Sequence, residues 1–66
     1  MSGQKDVLGL IEKLKDSDAN VRWRAAWALG KIGPDAKAAA PELCESLKDS
    51  NANVQKAAFA ALKLIE

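Results

Sequence analysis

The chain lacks several of the side chains on which enzyme chemistry depends. It has no histidine, no tyrosine and a single cysteine, Cys44, among its 66 residues. This composition excludes Cys/His metal sites, Ser–His triads, imidazole acid–base catalysis and an internal disulfide. None of the four glycines lies in a phosphate-binding loop. We therefore expect no enzymatic activity, no catalytic or metal-binding residue, no cofactor and no small-molecule substrate.

Long apolar runs and a strong charge excess are also missing. No segment approaches the ~20 apolar residues that cross a bilayer, and no leading apolar run resembles a signal peptide. Ten Lys and Arg against nine Asp and Glu leave a net charge of +1, which argues against nucleic acid held by bulk charge. Together with the lone cysteine, these features predict a cytoplasmic protein without membrane association.

What the sequence does contain is an internal repeat with a period of 33 residues. Residues 7–33 and 40–66 are identical at 13 of 27 aligned positions without a gap. The turn residues Lys-Asp-Ser and Ala-Asn recur together with the apolar positions, which chance similarity between two amphipathic helices would not produce. Units of this length must stack to bury their apolar faces. The pattern predicts one domain over 1–66, with repeats over 5–33 and 34–66.

Each repeat shows the apolar spacing of two helices, and the alanine-rich composition with 5% aromatic residues argues against a sheet. The stripes of the four predicted helices are, in order, Val7, Leu10, Ile11 and Leu14; Val21, Ala25, Ala28, Leu29 and Ile32; Ala40, Leu43, Cys44 and Leu47; and Val54, Ala58, Ala61, Leu62 and Ile65. Acidic and amide residues before Ala19 can cap the second helix, and Gly33-Pro34 ends it. Pro41 predicts a short turn over 35–39 before the third helix.

The segment 21–33, Val-Arg-Trp-Arg-Ala-Ala-Trp-Ala-Leu-Gly-Lys-Ile-Gly, resembles the second helix of HEAT-like repeats, the type found in bacterial solenoids, phycobilin lyases and engineered repeat libraries. Residues 10–16 and 43–49 resemble the end of that family's first helix. The resemblance implies an all-α solenoid of two helix-turn-helix repeats with the second helices on the concave side, either a fragment or an engineered protein. It also implies a ladder of charged pairs between neighbouring repeats, here formed by Asp18 and Arg22. In the second repeat the uncharged residues Asn51 and Gln55 stand at the equivalent positions.

The tryptophans form the candidate binding face. Counted at 100° per residue, Trp23 and Trp27 lie opposite the core stripe of the second helix. In the HEAT-like pattern these are variable positions that contact partners. The predicted partner-binding residues are Trp23, Trp27, Arg24, Lys31, Lys56 and Ala60. In the alternative interpretation the indoles fold over the neighbouring helix, onto Ala57, Ala60 and Leu64.

Two further residues are open to more than one interpretation. Cys44 lies in the stripe of the third helix, where a buried small hydrophobe is expected rather than a reactive thiol. Phe59 stands where the first repeat has Ala26, on the flank that would touch a following repeat; alternatively it turns inward. The predicted oligomer interface at this uncapped end consists of Phe59, Leu62, Leu64 and Ile65.

These observations predict a protein–protein interaction module that associates with itself into a homo-oligomer, through the tryptophan face, the uncapped end, or both. The alternative is a nucleic-acid or phosphate-binding surface, because Arg22, Arg24, Lys31 and Lys56 are interleaved with tryptophans. A chromophore lyase or other enzyme is the third possibility. For that function the chain lacks an acid–base pair, and it is too short to form a pocket of adequate size.

Overall fold

In a computed structural model that describes residues 6–66, the chain is helical throughout its regular structure and contains no strand in that range. The elements are α1 (Val7–Lys13), α2 (Ala19–Ile32), a 3₁₀ segment (Gly33–Ala39), α3 (Ala40–Ser46) and α4 (Ala52–Ile65). Because the 3₁₀ segment joins α2 to α3 directly, the helical residues form three uninterrupted stretches rather than four. The predicted start of the first repeat at residue 5 lies outside the described residues, and the repeat boundaries stay a prediction.

The helix starts are set by side-chain caps. Asp18 accepts a hydrogen bond from the Asn20 amide at 2.9 Å, and Asn51 accepts one from the Asn53 amide at 2.8 Å. These carboxylate and amide oxygens satisfy backbone donors that have no partner inside the helix. The predicted start of α2 near Ala19 and its predicted cap are thereby confirmed.

Glycine and proline shape the connection between the repeats. Gly33 adopts φ +82° and ψ −148°, a backbone conformation that residues with a Cβ atom rarely adopt. Pro34 follows within the first turn of the 3₁₀ segment, and Pro41 lies in the first turn of α3, where a missing amide donor costs little. The short turn predicted over 35–39 is part of this 3₁₀ segment.

The core lies where α1 packs on α2, α3 packs on α4, and α2 packs on α4. It consists mainly of small side chains, which allow close approach of the helices. The buried apolar residues are Leu14, Ala25, Ala26, Leu29, Ala36, Ala39, Leu43, Val54, Ala57, Ala58, Ala61 and Ile65. A Cβ atom added at Gly30 would lie 3.0 Å from the Ala61 Cα, so a larger residue would crowd this α2–α4 contact.

The inward face of α3 differs from the predicted stripe. Cys44 is exposed and Leu47 is 38% exposed, so the predicted burial of Cys44 is wrong. Ser46 is buried instead, and its hydroxyl donates to the Glu42 carbonyl at 3.1 Å, which satisfies its hydrogen-bonding group. In α1 the predicted stripe holds, with Leu14 buried and the other members packed against the core while half-buried.

An ion pair joins the two repeats, but not the predicted one. The Arg22 guanidinium donates to both carboxylate oxygens of Asp49, at 2.9 and 3.1 Å, and to the Asp16 carbonyl at 2.7 Å. Asp18, the expected partner of Arg22, caps α2 instead. Both side chains of the pair are largely buried, 16% and 14% exposed, and this fork geometry is the strong form of an ion pair.

Acid is expected to weaken the junction between the repeats. The hydrogen bond from Arg22 holds the pKa of Asp49 below its ordinary value of 3.8. A lowered native pKa contributes stability at pH values above the unfolded pKa, and this contribution is lost as pH falls through the native pKa. Urea unfolding followed by circular dichroism should therefore show stability falling below about pH 4.

The matched variants are Asp49→Asn and Asp16→Asn. Both carboxylates accept the amide hydrogen two residues on, but the carboxylate of Asp49 alone receives the Arg22 guanidinium. Asp49→Asn should remove this part of the pH dependence, whereas Asp16→Asn should preserve it. Equal pH dependence in both variants would contradict the assignment.

Candidate functional site

Four of the six predicted partner-binding residues line one groove between α2 and α4. Trp23 and Trp27 form its α2 wall, and Lys56 and Ala60 lie on the α4 side. The groove has a volume of ≈ 380 Å³ and is mostly apolar. Since Lys56 and Ala60 occupy the positions of the two tryptophans in the second repeat, the groove pairs equivalent sites of neighbouring repeats.

Sequence reasoning missed Asn53 as a lining residue and assigned Ala57 only to the alternative interpretation. The sequence contains a pattern that groups both residues with Lys56 and Ala60, because residues 53, 56, 57 and 60 follow the i, i+3, i+4, i+7 spacing of one helical face. Asn53 is also the equivalent of Asn20, whose side-chain oxygen accepts a hydrogen bond from the Trp23 indole at 3.3 Å.

The two tryptophans differ in burial. Trp27 is 54% exposed. Trp23 is half-buried and packs against the core. The two indoles therefore lie in different environments, and whether they contact a partner stays a prediction.

Cations border the groove. The Lys31 ammonium lies 4.6 Å from the centre of the Trp27 ring, and the Arg24 guanidinium lies 5.9 Å from that of Trp23. Both distances are within the range of cation–π attraction. Arg24 and Lys31, the other two predicted residues, thus contact the tryptophans from outside the groove and place positive charge at its edges.

Charge is unevenly divided between the helices. Five of the ten Lys and Arg residues lie on α2 and α4, and all nine Asp and Glu residues lie elsewhere. The near-neutral net charge therefore conceals a basic α2–α4 layer. Arg22 is held by Asp49, so the basic groups around the tryptophans are Arg24, Lys31 and Lys56.

The predicted oligomer-interface residues separate in the structure. Phe59 is 58% exposed, so the inward-packed alternative is wrong, and Leu62 is half-buried. Leu64 is 58% exposed and lies beside Gly30 of α2, and helical spacing groups it with Ala57 and Ala60 rather than with Phe59. Ile65 is 2% exposed, so its predicted place on an exposed interface is wrong; the core stripe that contains it explains the burial.

A second, smaller groove of ≈ 230 Å³ lies between α1 and α2, in the first repeat. Its lining residues come from α1 and α2 and are Leu10, Lys13, Val21, Arg24 and Ala25. This groove was not predicted from the sequence. Its lining is mostly apolar, with Lys13 and Arg24 as its charged members.

Other kinds of site are not evident in the part of the chain that the structure describes. Within residues 6–66 there is no group of three or more His, Cys, Asp or Glu residues placed to share a metal ion. None of the helices in that range combines the length and apolar character that crossing a bilayer requires.

Comparison with known families gives one result. Residues 7–66 match a family model described as HEAT repeats. No curated protein and no solved structure showed significant similarity to the chain.

Proposed function

Since the chain belongs to the HEAT-repeat family, whose members generally mediate protein–protein interactions, we propose that it is a non-catalytic binding module whose α2–α4 groove receives an acidic, apolar segment of a partner protein. The observation that carries this proposal is the groove itself, which is lined by two tryptophans, Lys56, Asn53 and two alanines. Tryptophan and arginine are the residue types most enriched in binding hot spots.

The chemistry of the groove supports a partner with two properties. Its volume of ≈ 380 Å³ and mostly apolar lining suit one or two large apolar side chains. Lys56 inside the groove and Lys31 at its edge favour carboxylates beside those apolar groups. A symmetric dimer through two such faces would bring like charges together, so charge favours an acidic partner here over a second tryptophan face.

Titration with synthetic peptides tests the proposal. A peptide in which leucines alternate with glutamates should change the tryptophan fluorescence saturably, and the same peptide with lysine in place of glutamate should not. Lys56→Glu should weaken binding by about tenfold, since it reverses a charge inside the groove. Lys48→Glu, an exposed reversal outside the groove with the same net charge, is the control. Equal responses to both peptides would contradict the proposal.

The basic layer also supports the nucleic-acid alternative, and the same assay distinguishes it. Binding to phosphates weakens steeply as salt rises, because condensed counterions are released on association. Tighter binding of a single-stranded oligonucleotide than of the acidic peptide, with such a salt dependence, would favour the alternative. Engagement of Arg22 by Asp49 removes one of the four cations on which that alternative depends.

Self-association is the second part of the proposal, and its support comes from the flank of α4. Phe59, exposed by 58%, occupies the position of Ala26, which is fully buried in the first repeat. An exposed aromatic ring at a position that is buried in the neighbouring repeat favours coverage by another protein surface. Light scattering over a concentration series should give masses above 7.0 kDa that rise with concentration. A constant monomer mass would contradict this part.

A further inference from the structure

The junction between the two repeats shows which surfaces of this chain fit each other. Arg22, Ala26 and Leu29 follow the i, i+4, i+7 spacing of one face of α2, and Arg22 on that face reaches Asp49 of the second repeat. Ala26 and Leu29 are fully buried. The equivalents on α4, 33 residues later, are Gln55, Phe59 and Leu62. The flank of α4 thus repeats a surface that α2 uses for stacking.

The receiving side of the junction has an equivalent as well. The five residues that line the second groove of ≈ 230 Å³ correspond in the second repeat to Leu43, Ser46, Val54, Ala57 and Ala58. All five of these are buried. In the first repeat, by contrast, Leu10 and Val21 are half-buried and line an open groove. The groove therefore lies on the surface that corresponds to the receiving side of the internal junction.

From this correspondence we infer that copies of the chain associate head to tail, with Phe59 of one copy inserted into the groove lined by Leu10, Lys13, Val21, Arg24 and Ala25 of the next. The inference rests on the proposed self-association and specifies its geometry. A cavity of ~150 Å³ holds a benzene ring, so a groove of ≈ 230 Å³ accommodates the phenyl ring.

The polar part of the internal junction has a counterpart between copies. The turn at Asp16 has the same hydrogen bond as the turn at Asp49, each carboxylate accepting the amide two residues on. Gln55 donates to the Asp49 carbonyl, just as Arg22 donates to the Asp16 carbonyl. Stacking of a second copy therefore places Gln55 opposite the carboxylate of Asp16, where the internal junction has Arg22 opposite Asp49.

Two substitutions of opposite effect test the geometry by sedimentation or light scattering. Phe59→Glu should weaken self-association by roughly 30-fold or more, the usual effect of losing a hot-spot residue. Trp27→Glu, a change at a similarly exposed aromatic residue outside the inferred contact, should leave self-association unchanged.

Gln55→Arg should strengthen self-association by roughly tenfold, because a bidentate pair with Asp16 becomes possible. Adding Asp16→Asn should cancel the gain. A gain of this kind cannot arise from unfolding.

Mixing variants distinguishes a head-to-tail contact from a symmetric one. Val21→Glu blocks the groove while placing a negative charge in the first turn of α2, where the helix dipole favours it. Phe59→Glu and Val21→Glu should each be monomeric, and their mixture should stop at a 1:1 dimer, since each copy keeps one intact surface. If Val21→Glu fails to fold, benzoylphenylalanine at position 59 of the otherwise unchanged chain should crosslink to residues of the groove in another copy.

The outcomes separate this inference from the proposed self-association. If the unchanged chain assembles but Phe59→Glu assembles equally well, the head-to-tail geometry is wrong and self-association stands. A closed dimer that does not grow with concentration would also overturn the geometry, because a head-to-tail contact continues unless it closes into a ring. If the unchanged chain remains monomeric at every concentration, both are wrong. Binding of the acidic peptide in the α2–α4 groove is unaffected by any of these results.

Discussion

Replacement of Leu43 by alanine is expected to lower the free energy of unfolding by ~2–5 kcal/mol. Leu43 is fully buried between α3 and the rest of the core, and its neighbours include alanines that cannot extend into the space it leaves. A chain of 66 residues has a total stability of about 3–10 kcal/mol, so this single change removes a large part of it. Urea unfolding at one fixed protein concentration measures the effect, since the proposed self-association would contribute to apparent stability.

Leu47→Ala is the matched control. It makes the same chemical change one helical turn later, at a side chain that is 38% exposed and retains solvent contact in the folded chain. Its effect should be smaller, because less apolar surface returns to water and no closed cavity forms. A cost for Leu47→Ala equal to that for Leu43→Ala would show that the inward face of α3 is wider than the structure indicates.

Features that depend on a few adjacent residues were predictable from the sequence. The caps at Asp18 and Asn51, the break at Gly33-Pro34 and the restart near Pro41 all follow from local backbone chemistry. The 33-residue repeat added the pairing of helices, because both copies carry the same turn residues. These features are determined by backbone conformation and hydrogen bonds within a few residues, so packing against other helices did not change them.

The orientation of α3 was not predictable in this way. The predicted stripe of α3 corresponds to that of α1, in which position 13 is an exposed lysine outside the stripe. The equivalent residue is Ser46, whose small side chain fits inside and donates to the Glu42 carbonyl. A serine that satisfies its own hydroxyl group in this way can replace an apolar residue in the core, and periodicity of apolar residues does not detect it.

Long-range pairs were missed for a different reason. Arg22 and Asp49 are 27 residues apart, and the pair depends on how far one repeat is displaced from the next. Asp18 was the local candidate, but its side chain is used at the helix start. Similarly, the angle that placed both tryptophans opposite the core of α2 did not show that Trp23 would pack against the core and Trp27 would not. Such differences in burial depend on contacts with the neighbouring helix, which the periodicity of α2 alone does not reveal.

Trp27→Glu is expected to weaken binding of the acidic peptide strongly while the helical structure survives. The indole is 54% exposed and forms part of the groove wall, so its loss removes the aromatic contact and adds a charge that repels carboxylates. Binding should weaken by roughly 30-fold or more. Stability should fall less than in Trp23→Glu, because Trp27 is the more exposed indole and the introduced glutamate would precede Lys31 by four residues, a favourable helical pair.

Trp23→Glu should behave differently and thereby separate binding from packing. Trp23 packs against the core while half-buried, so its replacement should reduce stability as well as binding. Leu8→Glu, an apolar-to-acidic change at a residue of α1 that is 76% exposed, should affect neither. Anisotropy of a labelled peptide reports binding in all three variants, and circular dichroism with urea reports stability. Undiminished peptide binding by Trp27→Glu would show that the groove is not the binding site, whereas loss of stability equal to that of Trp23→Glu would show that both indoles serve the fold.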